Sequence, residues 1–291
     1  MKMAFESSSL PKCWVLLALS IALLVGRSYA NSVMFSEGGS LAAVDLALKA
    51  SQSGGMIVAA KGTGCAALVS LSTARVSTDE GSMHHPANRA TARARLEKKM
   101  QVERIKILDA SALFASVGVV ADTIYLADTL FDQVTNHKYV YGNSVPISRL
   151  AKYLSILTHS RTLERTVRPF GVHSCLIGRM NAQDVGERKV GEDSDLWIYE
   201  VDTLGNIFGC HWCCIGSTLE NARRVEKALR GAGGEIKGSK EGKEIVRHCL
   251  QCIKSTLLQD LEPHEVSASV IEAGGRPHLL SIGEIHELLL T

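Results

Sequence analysis

The sequence predicts an α/β (α+β) protein built as a four-layer αββα sandwich, with two β-sheets packed face to face between two layers of helices. Three observations predict it. Apolar runs of strand length come in groups, amphipathic helical patterns come in pairs, and the two alternate along the chain: strands, two helices, strands, two helices, a closing hairpin. The handover after the first helix pair is marked by Val167-Arg168-Pro169-Phe170-Gly171-Val172. Pro169 cannot continue a helix, Arg168 is pushed out of the helical region by the proline after it, and Gly171 lets the chain pass close to its neighbours before a buried strand.

The elements follow in order. Phe35-Ser36-Glu37-Gly38-Gly39-Ser40 reads as a turn, with Ser40 placed to N-cap a short helix over residues 41–51. Leu41, Val44 and Leu48 share one face of that helix, and Gly54-Gly55 ends it. Apolar runs at 56–60 and 65–71 flank Lys61-Gly62-Thr63-Gly64 and predict a hairpin of buried strands. Residues 75–103 are polar and basic, with His84-His85-Pro86 and Arg89, Arg93, Arg95, Lys98 and Lys99. Lacking a sustained apolar stripe, they predict an exposed insertion. Runs at 105–109 and 113–117 make a second strand pair. Helical patterns follow over 121–137 and 147–165, the second with Pro146 near its start and Ile147, Leu150, Leu154 and Leu157 on one stripe. After the corner come strands at 172–177, 196–201 and 207–214. Ser217-x-x-Glu220 signals a capping box opening a helix with Leu219, Ala222, Val225 and Leu229. A Gly/Lys-rich loop over 231–240 leads to a helix bearing Ile245, Cys249, Ile253 and Leu257. A strand over 265–271 pairs with 277–280, and Ser281-x-x-Glu284 caps a final helix.

A chain of 291 residues can bury a sizeable core, and 32 Lys+Arg against 30 Asp+Glu give no global attraction to nucleic acid or an acidic membrane. Residues 1–30 form a separate segment. Lys2 and Lys12 precede an uncharged apolar run over 13–26, followed by Arg27-Ser28-Tyr29-Ala30, the pattern of a secretory leader cut after Ala30. An over-extended start of the reading frame would look the same. The run falls short of the roughly 20 residues of a membrane span. Two features oppose export: the chain has no N-x-S/T sequon, and of eight cysteines cleavage would leave seven, an odd number for a disulfide framework. The predicted organisation is a leader, 1–30, and one domain, 31–291, carrying the 75–103 insertion.

The corner motif is similar to the R-P-[FY]-G-[VC] corner of 20S proteasome α subunits, and further motifs fall in order around it. Phe35-Ser36 through Leu41, Val44, Asp45, Ala47 and Ala50 resembles the family's opening in spacing and in its acid, though the usual Gln and Tyr are absent. Lys106-Ile107 to Gly118 and Ala121-Asp122 resembles a second family segment, with Val117 where Ser is usual. Tyr141-Gly142 and Val145-Pro146-Ile147 resembles a helix start. Thr162-Leu163 and Thr166 to Val172, with Asn31-Ser32-Val33, lean toward the α type-3 subunit. The resemblance runs from about Tyr29 to the end of the chain. It implies the αββα sandwich of the Ntn-hydrolase and proteasome type, and a non-catalytic place in the outer heptameric ring. Its partners would be other α subunits, β subunits and regulatory particles, with a role in substrate entry and ubiquitin-dependent protein breakdown in cytoplasm and nucleus. It implies no cofactor, no metal and no nucleic acid, and a membrane only if the leader is retained.

The related β subunits use an N-terminal Thr whose own amine is the base. In the alignment through Lys61 that the resemblance implies, Gly55 stands at the nucleophile position and Leu71 at that of the supporting acid, so no catalytic residue is expected. The same resemblance makes Leu41, Val44, Asp45 and Leu48 ring-contact candidates and Tyr29 the gate candidate, with Ala30 replacing its Asp partner. Arg168, Pro169, Phe170 and Gly171 are the structural corner. Where the family uses a Lys for activator docking, Leu71 or Ser72 stands here. Two other readings stay open: an exported, diverged binding module of the same fold, and a hydrolase unmasked by processing to a new N-terminal Thr, Ser or Cys.

Other patterns read as structural. Cys210-x-x-Cys213 and Cys249-x-x-Cys252, near His211 and His248, form a nominal paired zinc pattern with a wide gap. On a single strand over 207–214, Cys210 and Cys213 would point to opposite faces, and Cys249 lies on an apolar stripe, so reduced core cysteines are expected. The His84-His85 region lacks interleaved aromatics and reads as a solvated insertion rather than a nucleic-acid patch. His173 and Ser174 face opposite ways on a strand and cannot form a nucleophile–base pair. Arg168 is expected to pair with a carboxylate or carbonyl, and Asp122 to favour a helix N-terminus.

Overall fold

A computed structural model describes residues 41–52, 54–71, 104–164, 167–180, 195–257, 261–272 and 274–290. The leader, Tyr29, Ser40 and the 75–103 insertion lie outside the described residues. Helix α1 (Ala42–Ser51) leads into strands β1 (Met56–Lys61) and β2 (Cys65–Leu71), then β3 (Ile105–Asp109) and β4 (Ala112–Gly118). Helices α2 (Val120–Tyr141) and α3 (Ile147–Leu163) precede β5 (Val172–Arg179), β6 (Leu196–Val201), β7 (Ile207–Cys210) and β8 (Trp212–Gly216). Then come α4 (Leu219–Gly231), α5 (Gly233–Gly238), α6 (Gly242–Leu257), β9 (Val266–Glu272), β10 (His278–Leu279) and α7 (Ile282–Leu290).

One sheet has the order β10-β9-β2-β1-β8, the other β3-β4-β5-β6-β7, and neighbouring strands among the described residues pair antiparallel. The first hairpin runs in register from Met56 opposite Leu71 to Lys61 opposite Ala66. Every residue of β1 and β2 is buried, which is why these strands read as continuous apolar runs rather than alternating ones.

Three apolar layers hold the sandwich. Between the sheets lie Ile57, Leu68, Leu113, Val117, Ile177, Ile198 and Ile215, with Cys175 and Cys213. Outside the first sheet, Val225, Leu229, Ile245, Cys249 and Ile253 of α4 and α6 pack on Val58, Val69 and Val270. Outside the second, Leu126, Leu130, Leu150 and Leu154 of α2 and α3 pack on Phe114, Val172 and Leu176. The predicted αββα order is therefore the observed one.

Several local expectations change. The strand expected over 207–214 is two strands in different sheets: β7 pairs with β6, and after His211 β8 pairs with β1. Alternation cannot report this, because both halves remain strand-like and only the partner changes. The N-cap expected at Ser217 lies one residue later. Thr218 is the N-cap and accepts from Asn221 N, while Ser217 takes a left-handed φ of 55°. The loop over 231–240 contains the short helix α5, packed so closely on Trp212 that a Cβ at Gly233 would stand 3.0 Å from the indole. Helix α1 has Leu41 rather than Ser40 as its N-cap residue. Helix α2 extends past 137 to Tyr141, where Gly142 at φ 73° closes it through a hydrogen bond to the Lys138 carbonyl. At the C-terminal end the expected cap is present: Ser281 N donates to Glu284 Oε2 at 2.8 Å, and Glu284 N donates to Ser281 Oγ at 3.3 Å.

Candidate functional site

The corner predicted from Arg168 to Gly171 is assembled around one carboxylate. Asp122 lies in the first turn of α2, 6% exposed, where the helix dipole favours an acid. Arg168 donates to both of its oxygens, Nη1 at 2.7 Å and Nη2 at 2.6 Å, and Gly171 N donates to Oδ2 at 3.0 Å. Fork geometry of this kind is what the planar guanidinium provides and a lysine cannot. Phe170 is buried and stacks on Tyr125 with ring centroids 5.7 Å apart, and Arg161 lies over both rings. Sequence reasoning found Asp122 and Arg168 separately; it missed that they are partners, 46 residues apart.

The corner positions α1. Val119 N donates to the Gly171 carbonyl at 2.9 Å. A Cβ on Gly118, whose φ is +119°, would collide with that same carbonyl and come within 3.0 Å of Ser51 Cα. A Cβ on Gly171 would meet Ala50 Cβ at 3.1 Å. Two glycines thus let α1 lie directly on the backbone at the ends of β4 and β5. The side of α1 turned to the domain is Ala47 and Ser51, and Ser51 Oγ donates to the Leu48 carbonyl at 2.8 Å. Leu41, Val44, Asp45 and Leu48 are half-buried, and Leu46 is 65% exposed. The exposed apolar residue of this helix is therefore Leu46, which the shared-face pattern did not single out.

At the other candidate position, Gly55 immediately precedes β1, and the structure brings it against Leu71: a Cβ there would collide with the Leu71 carbonyl and with Arg104 Nη1. The Gly55 carbonyl accepts from Ser217 N at 3.1 Å. Arg104 lies beside the first residue of β3. Burial pushes its guanidinium below the usual arginine range, and Nη1 has no hydrogen-bond partner among the described residues. A lone cation just before an apolar strand was the only sequence signal for it. Lys61, at the far end of β1, is 5% exposed; its Nζ donates to the Leu196 carbonyl at 3.2 Å and lies 4.7 Å over the Trp197 ring.

The remaining candidates are dispersed. His173 Nε2 lies 2.8 Å from Glu200 Oε1, while Ser174 is buried on the opposite face, so the two do not meet. Cys249 and Cys252 sit on α6 outside the first sheet, whereas Cys213 lies between the sheets, so the two CxxC pairs do not come together. Burial, reinforced by nearby acids, pushes the Cys65 thiol up to about 11, well away from a nucleophilic thiolate.

Two sheets between helical layers, with a glycine opening the first strand and a glycine corner seating α1, define the class as the proteasome-type αββα sandwich. A family model described as proteasome subunit matches residues 76–271, and the chain belongs to that family. Curated relatives put it with the α-type subunits. It is 29% identical over 144 residues to the proteasome subunit alpha type-1 of Drosophila melanogaster, covering 49% of this chain and 46% of that protein. It is 24% identical over 198 residues to the proteasome subunit alpha of Picrophilus torridus, covering 68% and 76%. To that of Methanococcus maripaludis it is 24% identical over 191 residues, covering 65% and 66%. The matched stretch thus spans about half the length of the Drosophila protein. None of these relatives confirms the leaning toward α type-3.

Proposed function

We propose that this chain is a non-catalytic α-ring subunit of a 20S proteasome core particle. In that role it contributes to ring assembly, substrate entry and ubiquitin-dependent protein breakdown in the cytoplasm and nucleus. Its partners are neighbouring α subunits and the β subunits, with regulatory particles beyond them. The observation that carries the reading is Gly55. It occupies the start of β1 where the β-type nucleophile would stand, it has no hydroxyl, and the space of a side chain is taken by Arg104 and the Leu71 carbonyl. Leu71 supplies no carboxylate to orient a base. The same reading gives the exposed Leu46 of α1 a partner surface in the ring, of the size obligate interfaces bury, about 2,000 Å² or more.

The test is size fractionation of native lysate containing the tagged full-length chain, with peptidase activity and mass spectrometry on each fraction. Co-elution with β subunits in a large, peptidase-active particle is expected, and Leu46→Glu shifts the chain out of that particle. Elution as a small species free of β subunits would overturn the reading in favour of an exported binding module. Peptidase activity in the isolated chain, with a newly exposed N-terminal Thr, Ser or Cys, would overturn it in favour of a processed hydrolase.

A further inference from the structure

The sheet change at His211 has placed several soft ligands together. Along β5, β6 and β7, the residues turned toward the first sheet are His173, Cys175 and Ile177; Leu196, Ile198 and Glu200; and Cys210. Cys175 stands opposite Glu200 in the register, and Ile198 opposite Cys210. From the first sheet, Cys213 of β8 stands opposite Ala59 and turns inward to the same layer. A continuous strand would have sent Cys210 and Cys213 to opposite faces. Breaking it at His211, with one half in each sheet, turns both toward the interior.

We propose that Glu200, Cys210 and Cys213 form a binding site for a thiophilic divalent cation of the zinc type, spanning the two sheets, with the Cys175 thiol lying against Cys213. One ligand atom from each of Glu200, Cys210 and Cys213 lies within 4.8 Å of the others, and Cys175 Sγ lies 3.5 Å from Cys213 Sγ. Tetrahedral zinc, with Zn–S bonds of about 2.3 Å, separates its sulfurs by roughly 3.8 Å. Those three donors therefore need a contraction of about 1 Å at most. His173 Nε2 lies 2.8 Å from Glu200 Oε1 without the alignment of a hydrogen bond, close enough to take up that bond when the carboxylate turns to ligate. Cys175 and Cys213 are at most 2% exposed, while Cys210 and Glu200 are half-buried beside the edge strand β7, which gives the ion a way in. On binding, Cys210 and Cys213 each release a proton to solvent and ligate as thiolates, and the dication offsets two of the three negative charges that the apolar layer could not otherwise hold. The Cys249 and Cys252 pair, across the first sheet, takes no part.

The test uses the reduced full-length chain and cobalt(II), followed by zinc displacement. One equivalent should bind with thiolate-to-cobalt charge-transfer absorption. Cys210→Ser and Cys213→Ser should each abolish that absorption, while Cys252→Ser leaves it unchanged. His173→Gln should weaken binding about ten- to hundredfold, the usual effect of losing a group that orients a ligand. Glu200→Gln, which preserves size and hydrogen bonding, should also weaken it. If the serine variants fail to fold, alkylation decides: zinc should protect Cys210 from a thiol reagent in the wild-type chain. Absence of a charge-transfer band, a band that persists in folded Cys213→Ser, or an unprotected Cys210 would overturn the proposal. So would recovery of a metal-free chain whose Cys175 and Cys213 are joined as a disulfide.

Discussion

Two arginines, each beside a glycine, are held in opposite ways. Arg168 has a side chain 60% exposed, yet it is fully paired in a fork with Asp122. Arg104 lies half-buried against Gly55, and its shielded Nη1 finds no hydrogen-bond partner among the described residues. At the corner, charge is desolvated only on the side that has a partner, and the pair ties a helix start to a strand start. At Gly55 a guanidinium fills the space a side chain would have taken, with no carboxylate paired to it among the described residues. The first arrangement stabilises the fold. The second leaves a donor atom shielded from water and unpaired among the described residues, which costs free energy.

The contrast can be broken at either end. The largest effect is expected at Asp122→Ala, which strands the Arg168 guanidinium and the buried Gly171 N–H. Because the Arg168 side chain stays largely in water, the loss is that of charged hydrogen bonds and of the Gly171 acceptor, about 1.5–3 kcal/mol, read as a drop in the urea midpoint. Gly55→Ala should cost about 1–3 kcal/mol, the range for overpacking, since the Leu71 carbonyl cannot move aside as the Arg104 side chain can. Arg104→Met should go the other way, raising stability by about 1 kcal/mol, because an apolar chain of similar length replaces an unpaired buried donor. Loss of stability there would mean that the guanidinium is paired in the folded protein.

A half-buried surface acid supplies the reference case. Glu284 is held down to about 2 by Lys243 and by its cap contacts with Ser281, from an ordinary value of 4.5. Because the folded value lies below the unfolded one, its stabilisation is present above about 4.5 and is lost as pH falls toward about 2. Glu284→Gln should flatten the stability profile across that window and leave it unchanged at neutral pH apart from a constant offset. The smallest effect is expected at Gly231, the last residue of α4, where a Cβ would meet nothing within 4 Å. Gly231→Ala should stabilise by about 0.4–1 kcal/mol through the unfolded chain alone.

The layers were legible because burial leaves a mark on local sequence. Strands covered on both faces are continuous apolar runs, as in β1 and β2, and α4 and α6 repeat their apolar residues at helical spacing. The corner was legible because proline and glycine restrict the backbone wherever they stand. What stayed hidden depends on partners far apart in the chain. Ile207 to Gly216 reads as strand whichever sheet it joins, so its division at His211 left no periodic signal. Nothing near Arg104 announces Gly55, and nothing near Asp122 announces Arg168. The short helix α5 escaped because its four flanking and internal glycines read as loop, although Ile236 is fully buried. The candidate contacts on α1 were half legible: the apolar spacing is there, but the glycines at 118 and 171 decide which side faces inward.

The passage of the chain from β7 to β8 has a mechanical meaning. Sandwich sheets usually meet only through side chains, and such layers can slide over one another. Here Cys210 and Trp212 are separated by a single residue, yet each is hydrogen-bonded into a different sheet. A shear of one sheet past the other would have to tear ladder bonds at this strap before any apolar contact was lost. The two sheets are thereby coupled into one cooperative unit, and their backbone amides should exchange with solvent together rather than sheet by sheet.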